Sequence, residues 1–515
     1  MTNVAGTKVS RRWRHHGSFP PNGSRGPSII RRFVCNFAIL GVAEVVCRGL
    51  SFMAMLSLAS RLKPSGLGRI EFSFNVVFWL VLIVRDCFET IITREIARHP
   101  RLTKKLVNHV LAVKLALATG LLTLLVLVSF AAYSDPIDQW VMSLYGLLLL
   151  TAALGLDFVF RGNEAMGLVA VSLCLRTLIY CGCVWIWVVD PSKILFVPIG
   201  LAVGELTGIS LVWVVYTRRF GIPRPTFGRR FLRVIVRKGR SVGLIHFCQT
   251  VIISADLLVV GLMSSWSDVG CYSLPLRLFS ALMAMGTIFQ QVIFPSLSRS
   301  WRGSPGLTRE ILDFAIKVMV TAFLPIAVGG TVLAVPLIGL MPANFERSAG
   351  LLAVGIWRAP LLSLAFLYQA ALIATNRESH GVRLLMWGAI ASLPLIAGFW
   401  LLLGVSGASL GVIVNGLGLL VAGYVCLSRG GCRPAGHHHL ARPLLASTLM
   451  VPVCLVGASA HVGVGVLGGA GAYLLALHLL GGWDFGSKIL FAYSREGSQM
   501  RVDGASQDRA GGFEG

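Results

Sequence analysis

The chain has 515 residues, of which 55% are hydrophobic and only 13% are charged, and its mean hydropathy is +0.76. A soluble protein carries roughly a quarter charged residues, whereas a membrane-spanning helix needs about 20 mostly apolar residues. The composition therefore excludes a soluble enzyme, a secreted disulfide-linked scaffold and a disordered chain. The formal net charge of +24 is explained by basic loops between membrane spans, which set the orientation of the helices across the membrane. We therefore do not predict a nucleic-acid partner.

Continuous apolar runs predict an all-α polytopic membrane protein with about fourteen transmembrane helices, because β-barrel strands would show short alternating segments instead. The last two runs are glycine-rich, so twelve helices is the alternative. The predicted spans are 33–60, 72–92, 107–133, 139–160, 165–189, 194–216, 241–263, 269–297, 312–338, 350–374, 383–404, 407–427, 441–459 and 462–481.

Basic and weakly charged connectors alternate along the chain, which supports this map. One side of the membrane receives the basic N-tail, residues 1–32, and a basic linker, 217–240, whereas the other side receives short acidic turns such as 134–139. By the positive-inside rule the N-tail, the linker and the polar, disordered C-terminal tail, 482–515, are predicted to be cytoplasmic.

The linker divides the first twelve helices into two predicted lobes, residues 33–216 and residues 241–427. Residues 428–481 then form a connector and two further helices. Two lobes around a central cavity are the architecture of many secondary transporters.

A short internal repeat supports duplication of these lobes. Residues Leu62–Phe72 follow the first span and contain Gly68, and they resemble Ser264–Leu274, which follow the seventh span and contain Gly270.

Charged residues inside the predicted spans are the candidates for function. A central Arg or Lys costs roughly 2.5–3.5 kcal/mol, so these side chains are expected to face the bundle interior or an aqueous cavity. The basic residues are Arg48, Arg85, Lys114, Arg176, Arg277, Lys317 and Arg358. The acidic residues are Glu44, Asp86, Glu89, Asp157, Glu205, Asp256 and Asp313.

Spacing indicates which of these charges can neutralise one another on a single helix. Pairs four residues apart share a helix face, and these pairs are Glu44 with Arg48, Arg85 with Glu89, and Asp313 with Lys317. Arg277 and Arg358 have no acid three or four residues away, so each needs a partner from another helix or from a ligand. Arg176 and Lys114 fit either a structural or a functional role.

An unpaired guanidinium in a cavity suits a phosphate, because its planar fork makes bidentate hydrogen bonds and stays charged. The candidate substrate-binding cations are Arg277, Arg358, Arg48, Arg85 and Arg176. The candidate ion-coupling or structural acids are Asp256, Glu44 and Glu89. No catalytic residue, cofactor or metal site is predicted.

Several segments follow one another as they do in a known family. The seventh and eighth spans contain Ser254–Gly261, Asp268–Tyr272, Leu276–Leu278 and Phe294–Arg299, and the first outer loop contains Arg61–Gly68. Their order resembles the bacterial polysaccharide flippases, which are O-antigen and exopolysaccharide repeat-unit exporters of the multidrug/oligosaccharidyl-lipid/polysaccharide (MOP) exporter superfamily. The turn Gly404–Gly411 is also similar to a later turn of that family.

This resemblance implies translocation of an undecaprenyl-diphosphate-linked oligosaccharide across the bacterial inner membrane, with both termini in the cytoplasm. It also implies that Arg277 matches the basic residue of the eighth helix, and that a polysaccharide polymerase and export machinery are candidate partners beside membrane lipids. A drug or cation antiporter of the same superfamily is the alternative. A membrane glycan polymerase or ligase fits less well, because every outer connector is short.

Overall fold

The apolar runs form helices, and the described residues contain no strand. The computed structural model describes residues 27–303, 305–342, 344–434 and 440–482, so most of the predicted N-tail and C-terminal tail lies outside it. In chain order the helices are α1 Pro27–Arg98, α2 Thr103–Ala132, α3 Pro136–Tyr145, α4 Leu147–Leu154, α5 Asp157–Gly162, α6 Met166–Trp187, α7 Phe196–Phe220, α8 Arg229–Met263, α9 Trp266–Gly303, α10 Pro305–Val332, α11 Ala334–Gly339, α12 Ser348–Gly355, α13 Arg358–Ala374, α14 Glu378–Leu403, α15 Val405–Ser428, α16 Ala441–Ala460 and α17 Val462–Leu479.

Twelve helical segments from Pro100 onward are long and apolar enough to cross a membrane. Helix α1 precedes them and has two arms, α1a (27–62) and α1b (64–98), which meet at Lys63, where the backbone is not helical (φ 60°, ψ 175°). The arms cover the first two predicted spans. The twelve segments match the third to the fourteenth predicted spans, and the all-helical prediction is confirmed.

Two predicted connectors are shorter than expected. Residues 61–71 were expected to form a loop, but only Lys63 leaves the helix, because Pro64 begins α1b at a position where a missing N–H and a preset φ are tolerated. The linker 217–240 is non-helical only over 221–228, since α8 begins at Arg229.

Each half of the chain packs mainly on itself. In the N-terminal half α1a lies against α6, and the Arg61 guanidinium donates to the Val188 carbonyl oxygen at 2.7 Å. In the C-terminal half α14 contacts α8 and α15, and α13 contacts α9 and α15. Helices α16 and α17 pack on each other and on α10, where the Tyr473 hydroxyl donates to the Thr321 carbonyl oxygen at 2.7 Å.

Helix α1b joins the two halves, because it contacts both α8 and α9. The Trp79 indole donates to the Ser254 hydroxyl at 2.8 Å, and the Asn75 amide donates to the Ser254 carbonyl oxygen at 3.3 Å. These bonds connect residues about 175 positions apart in sequence, so they fix the arrangement of the halves.

The two copies of the internal repeat pack against each other and form a crossing that requires glycine. A β-carbon on Gly68 would overlap the Trp266 carbonyl oxygen, and a β-carbon on Gly270 would overlap the Pro64 carbonyl oxygen. Each copy thus makes the same contact with the other, as expected for a pseudo-twofold relation. We call these four residues the glycine crossing.

The glycine crossing lies at the short-loop end of the bundle, which we define by connectors 133–135, 188–195 and 264–265; the linker end carries connectors 99–102, 221–228 and 429–434. Hydrogen bonds and ion pairs hold the short-loop end closed: Arg69 lies 2.7 Å from Asp135 and 3.1 Å from Asp138, and the Trp266 indole donates to Asp138 at 3.2 Å. The Ile137 backbone N–H and Arg69 lower the pKa of Asp135.

Candidate functional site

A cavity of about 220 Å³ lies in the N-terminal half, where α1, α3, α6 and α7 line it, and Arg277 on α9 joins the lining from the C-terminal half. Its wall is mixed: aromatic rings and aliphatic side chains surround two arginines and two glutamates. The polar and aromatic members that matter here are Glu71, Phe74, Tyr145, Arg176, Tyr180, Glu205 and Arg277. The cavity therefore presents both signs of charge to a ligand.

Arg277 on α9 reaches from the C-terminal half to Glu71 on α1b in the N-terminal half. Its Nη2 atom lies 2.5 Å from Glu71 Oε1, and its guanidinium carbon lies 5.9 Å from the centre of the Phe74 ring. Its Nε atom has no hydrogen-bond partner within the described residues, and 38% of its side chain is exposed. The guanidinium thus links the halves and keeps donors for a ligand.

Arg176 on α6 is held within the N-terminal half. Its Nη2 atom donates to Asp157 at 2.6 Å and its Nη1 atom donates to Glu205 at 3.2 Å. Both Arg176 and Glu205 line the cavity. Two carboxylates around one guanidinium leave this corner of the cavity more acidic than the sequence predicts.

Arg358 lies outside the cavity wall, in the interior of the C-terminal half. Only 2% of its side chain is exposed, and it is bonded to Asp256, whose side chain is fully buried. The Tyr272 hydroxyl donates to the same carboxylate at 2.6 Å. The partner therefore comes from another helix, and this group connects α8, α9 and α13.

We expect this buried pair to be structural, with each charge compensating the other, and not to bind a ligand. Removing one charge leaves the other uncompensated, which costs about 3–5 kcal/mol, whereas removing both is often nearly neutral. Asp256→Leu or Arg358→Met should each lower the melting temperature of the purified protein markedly, and the double variant should recover most of the loss. Recovery that fails in the double variant would contradict a purely structural pair.

The remaining candidates lie toward the linker end. Arg48 Nη2 lies 2.8 Å from Glu44 Oε1, so the predicted ion pair is confirmed. The pair lies on the same face of α1a as Ser51, which is part of the cavity wall. The predicted pair of Arg85 with Glu89 is wrong.

Arg85 instead lies 3.0 Å from Asp86, and Glu89 lies 2.9 Å from the buried Lys114. A fully buried ammonium needs a carboxylate more than a half-exposed guanidinium does. Arg48 and Arg85 are absent from the cavity wall, so of the five predicted cations only Arg176 and Arg277 line it.

Glu71, Tyr145 and Tyr180 line the cavity but are not among the residues predicted from the sequence. Glu71 was placed in a loop, just before the predicted second span, although its position three residues after Gly68 in the internal repeat could have directed attention to it. The described residues contain no group of three or more His, Cys, Asp or Glu side chains that could hold a metal ion.

Comparison with known proteins identifies the family. A sequence profile described as polysaccharide biosynthesis protein matches residues 33–301, which is more than half of the chain. The chain belongs to the polysaccharide biosynthesis protein family. No curated protein matches it.

Solved structures show the fold of this polysaccharide biosynthesis protein. The lipid II flippase MurJ in an inward closed conformation matches with a TM-score of 0.69 at 14% identity, over 86% of this chain and 98% of MurJ. An inward-facing multidrug resistance MATE family transporter of the MOP superfamily matches with a TM-score of 0.61 at 13% identity, over 74% of this chain and 95% of the transporter.

An outward-facing MATE family transporter gives a TM-score of 0.54 at 12% identity, over 79% of this chain and 96% of the transporter. The predicted family is thus confirmed by the sequence profile, and the solved structures show a fold shared with MurJ and with MATE family transporters. The twelve apolar helical segments and this fold indicate a multi-pass membrane protein.

Proposed function

We propose that this protein is a flippase that moves an undecaprenyl-diphosphate-linked oligosaccharide from the cytoplasmic to the outer leaflet of the bacterial inner membrane. The observation that carries the proposal is Arg277, whose guanidinium enters a cavity of the N-terminal half from the C-terminal half and whose Nε donor has no hydrogen-bond partner among the described residues. Family membership and the fold shared with the lipid II flippase MurJ support it. The linker end is taken as cytoplasmic, because the basic connectors lie there.

The ion pair between Arg277 and Glu71 suggests how a ligand would act on the halves. A diphosphate offers more negative charge and a bidentate match to the guanidinium, so it would compete with Glu71 for Arg277. Because Glu71 belongs to the other half, this exchange would weaken a contact that keeps the halves together. Substrate binding would thereby favour opening of the short-loop end.

The size of the cavity fits a resting state. Its volume of about 220 Å³ is below the roughly 300–1,000 Å³ of sites for drug-sized ligands, so a repeat unit requires the halves to separate. The glycine crossing closes the short-loop end. At the linker end a crevice of about 270 Å³ lies between α1b and α8, where His246 Nδ1 is 3.9 Å from Asp86.

The two C-terminal helices supply a place for the prenyl chain. A groove of about 720 Å³ lies between α9, α10, α16 and α17, and its lining is almost entirely apolar. Such a surface holds a hydrocarbon chain beside the bilayer. This gives α16 and α17 a role in the proposed transport. We also propose that the two lobes that move are residues 33–216 and residues 241–427.

Filling this groove is expected to reduce transport of the lipid-linked substrate at least several-fold, because a bulky ring would occupy the path of the prenyl chain. Ala470→Trp introduces such a ring in the groove lining. Leu467→Trp is the matched control, since Leu467 is 76% exposed on the same helix and lies outside the lining. Translocation by reconstituted protein measures the effect, and equal rates for both variants would contradict the role of the groove.

The proposed function is tested in cells by deleting the gene. Lipid-linked repeat units should then accumulate on the cytoplasmic leaflet, and complementation should clear them. Accumulation on the outer leaflet would instead indicate a polymerase or ligase, the enzyme alternative, and would overturn the flippase proposal.

A drug or cation antiporter is the second candidate, and Glu205 is the observation that favours it. Its carboxylate lines the cavity and its side chain is 30% exposed. An antiporter should lose transport in Glu205→Gln while tolerating Arg277→Gln, and a flippase should show the reverse. Measuring both variants with a cationic dye and with the lipid-linked substrate separates the two.

A further inference from the structure

A second groove, which we call the tyrosine groove, lies on the C-terminal half between α10, α13 and α15. Its volume is about 470 Å³, and its lining includes Ile316, Leu324, Leu361, Tyr368 and Tyr424. None of these three helices lines the Arg277 cavity. The tyrosine groove is therefore separate from the proposed transport site.

The groove is apolar toward the middle of the bundle and cationic at the linker end. Arg433 Nε donates to the Tyr424 hydroxyl at 3.4 Å. Arg309 lies on the face of α10 that continues through Asp313 to Ile316, a residue of the groove lining. The Arg309 side chain is half exposed and lies 3.8 Å from Asp313, so Arg309 and Arg433 both bring positive charge to this end.

The dimensions match one bilayer leaflet. Ile316 to Leu324 is eight residues of helix, or about 12 Å at 1.5 Å per residue, and half of a hydrocarbon core is about 15 Å. An acyl chain lying along this wall would place its headgroup at the level of Arg309 and Arg433. Arginine pairs strongly with phosphate through bidentate hydrogen bonds, and anionic lipids favour basic sites at the cytoplasmic surface.

We propose that the tyrosine groove binds an anionic glycerophospholipid, with one acyl chain against Ile316, Leu324 and Leu361 and the phosphate between Arg309 and Arg433. The two tyrosine hydroxyls lie where the glycerol ester groups would be. A zwitterionic lipid fits less well, because its ammonium would meet the same two guanidinium groups.

The test is native mass spectrometry of the purified full-length protein with phosphatidylglycerol or phosphatidylcholine added. We expect phosphatidylglycerol to be retained several-fold more than phosphatidylcholine. The double variant Arg309→Gln/Arg433→Gln should lose this preference, and Leu361→Trp, which fills the groove without changing charge, should reduce retention of phosphatidylglycerol. The control Arg347→Gln/Arg383→Gln removes two exposed positive charges elsewhere and should retain the preference.

Each other outcome overturns the proposal. Equal retention of the two lipids would exclude a selective headgroup site, and unchanged retention in Leu361→Trp would show that the lipid lies outside the groove. Displacement of phosphatidylglycerol by polyprenyl diphosphate would assign the groove to the transported substrate. Melting temperatures of the variants, compared with that of the unmodified protein, show that a loss of lipid is not a loss of fold.

Discussion

Replacing Arg277 with alanine is expected to abolish polymer export while the protein remains in the membrane. Hydrogen bonds to a charged group contribute about 1.5–3 kcal/mol each. Loss of a bidentate contact to a diphosphate should therefore weaken binding by about 3 kcal/mol or more, which is roughly a hundredfold or more. The measurement is translocation of the lipid-linked substrate by reconstituted protein, with membrane abundance determined in parallel.

Two further variants show whether the loss of export comes from the guanidinium of Arg277. Arg277→Lys keeps the charge but lacks the planar fork, so we expect it to retain partial activity. Arg347→Ala is the control, because Arg347 is 83% exposed in an ion pair with Asp268, and exposed pairs contribute little. Normal export by Arg277→Ala would refute the role assigned to Arg277.

Enlarging a residue of the glycine crossing is expected to have the second large effect. A methyl group on Gly270 would overlap the Pro64 carbonyl oxygen, and backbone atoms cannot move aside cheaply. Overpacking of this kind costs about 1–3 kcal/mol, so Gly270→Ala should shift the protein away from the state closed at the short-loop end. Translocation should fall about tenfold or more, since alternating access needs both states.

Cys271 provides a native reporter of this shift. Its side chain is 3% exposed next to the crossing, so an impermeant maleimide added outside cells should label it slowly in the unmodified protein and faster in Gly270→Ala. The matched control is Gly350→Ala, because a β-carbon there has open space. Equal labelling of Cys271 in all three proteins would show that the crossing does not close the short-loop end.

The sequence predicts the positions of the membrane-spanning helices well, because a run of about 20 apolar residues is characteristic of such a helix. The repeat containing Gly68 and Gly270 is recognisable in the sequence only as a sign of duplication, and the contact between its two copies is visible only in the structure. The sequence overestimates the length of the break at Lys63, because hydropathy treats the basic and polar residues around Pro64 as a loop although they remain helical.

The partners of the charged residues are where sequence reasoning fails. Spacing on one helix predicts the pair of Glu44 with Arg48 but assigns Glu89 to Arg85, because it cannot see Lys114 on a neighbouring helix. The sequence also predicts a cation-dominated chamber, whereas each cavity arginine has a carboxylate partner. A guanidinium taken out of water needs a compensating charge, so a paired arginine is the expected state before a phosphate arrives.

In the proposed mechanism a diphosphate takes Arg277 from Glu71 and so releases the halves at the short-loop end. The most direct measurement is the distance between spin labels at Asp190 and Leu340, which are exposed at that end on opposite halves, made in a cysteine-free protein whose transport is first checked. Adding polyprenyl diphosphate should increase this distance in the otherwise unmodified protein and leave it unchanged in Arg277→Ala. An increase of the same size in Arg277→Ala, or no change in either protein, would contradict the account.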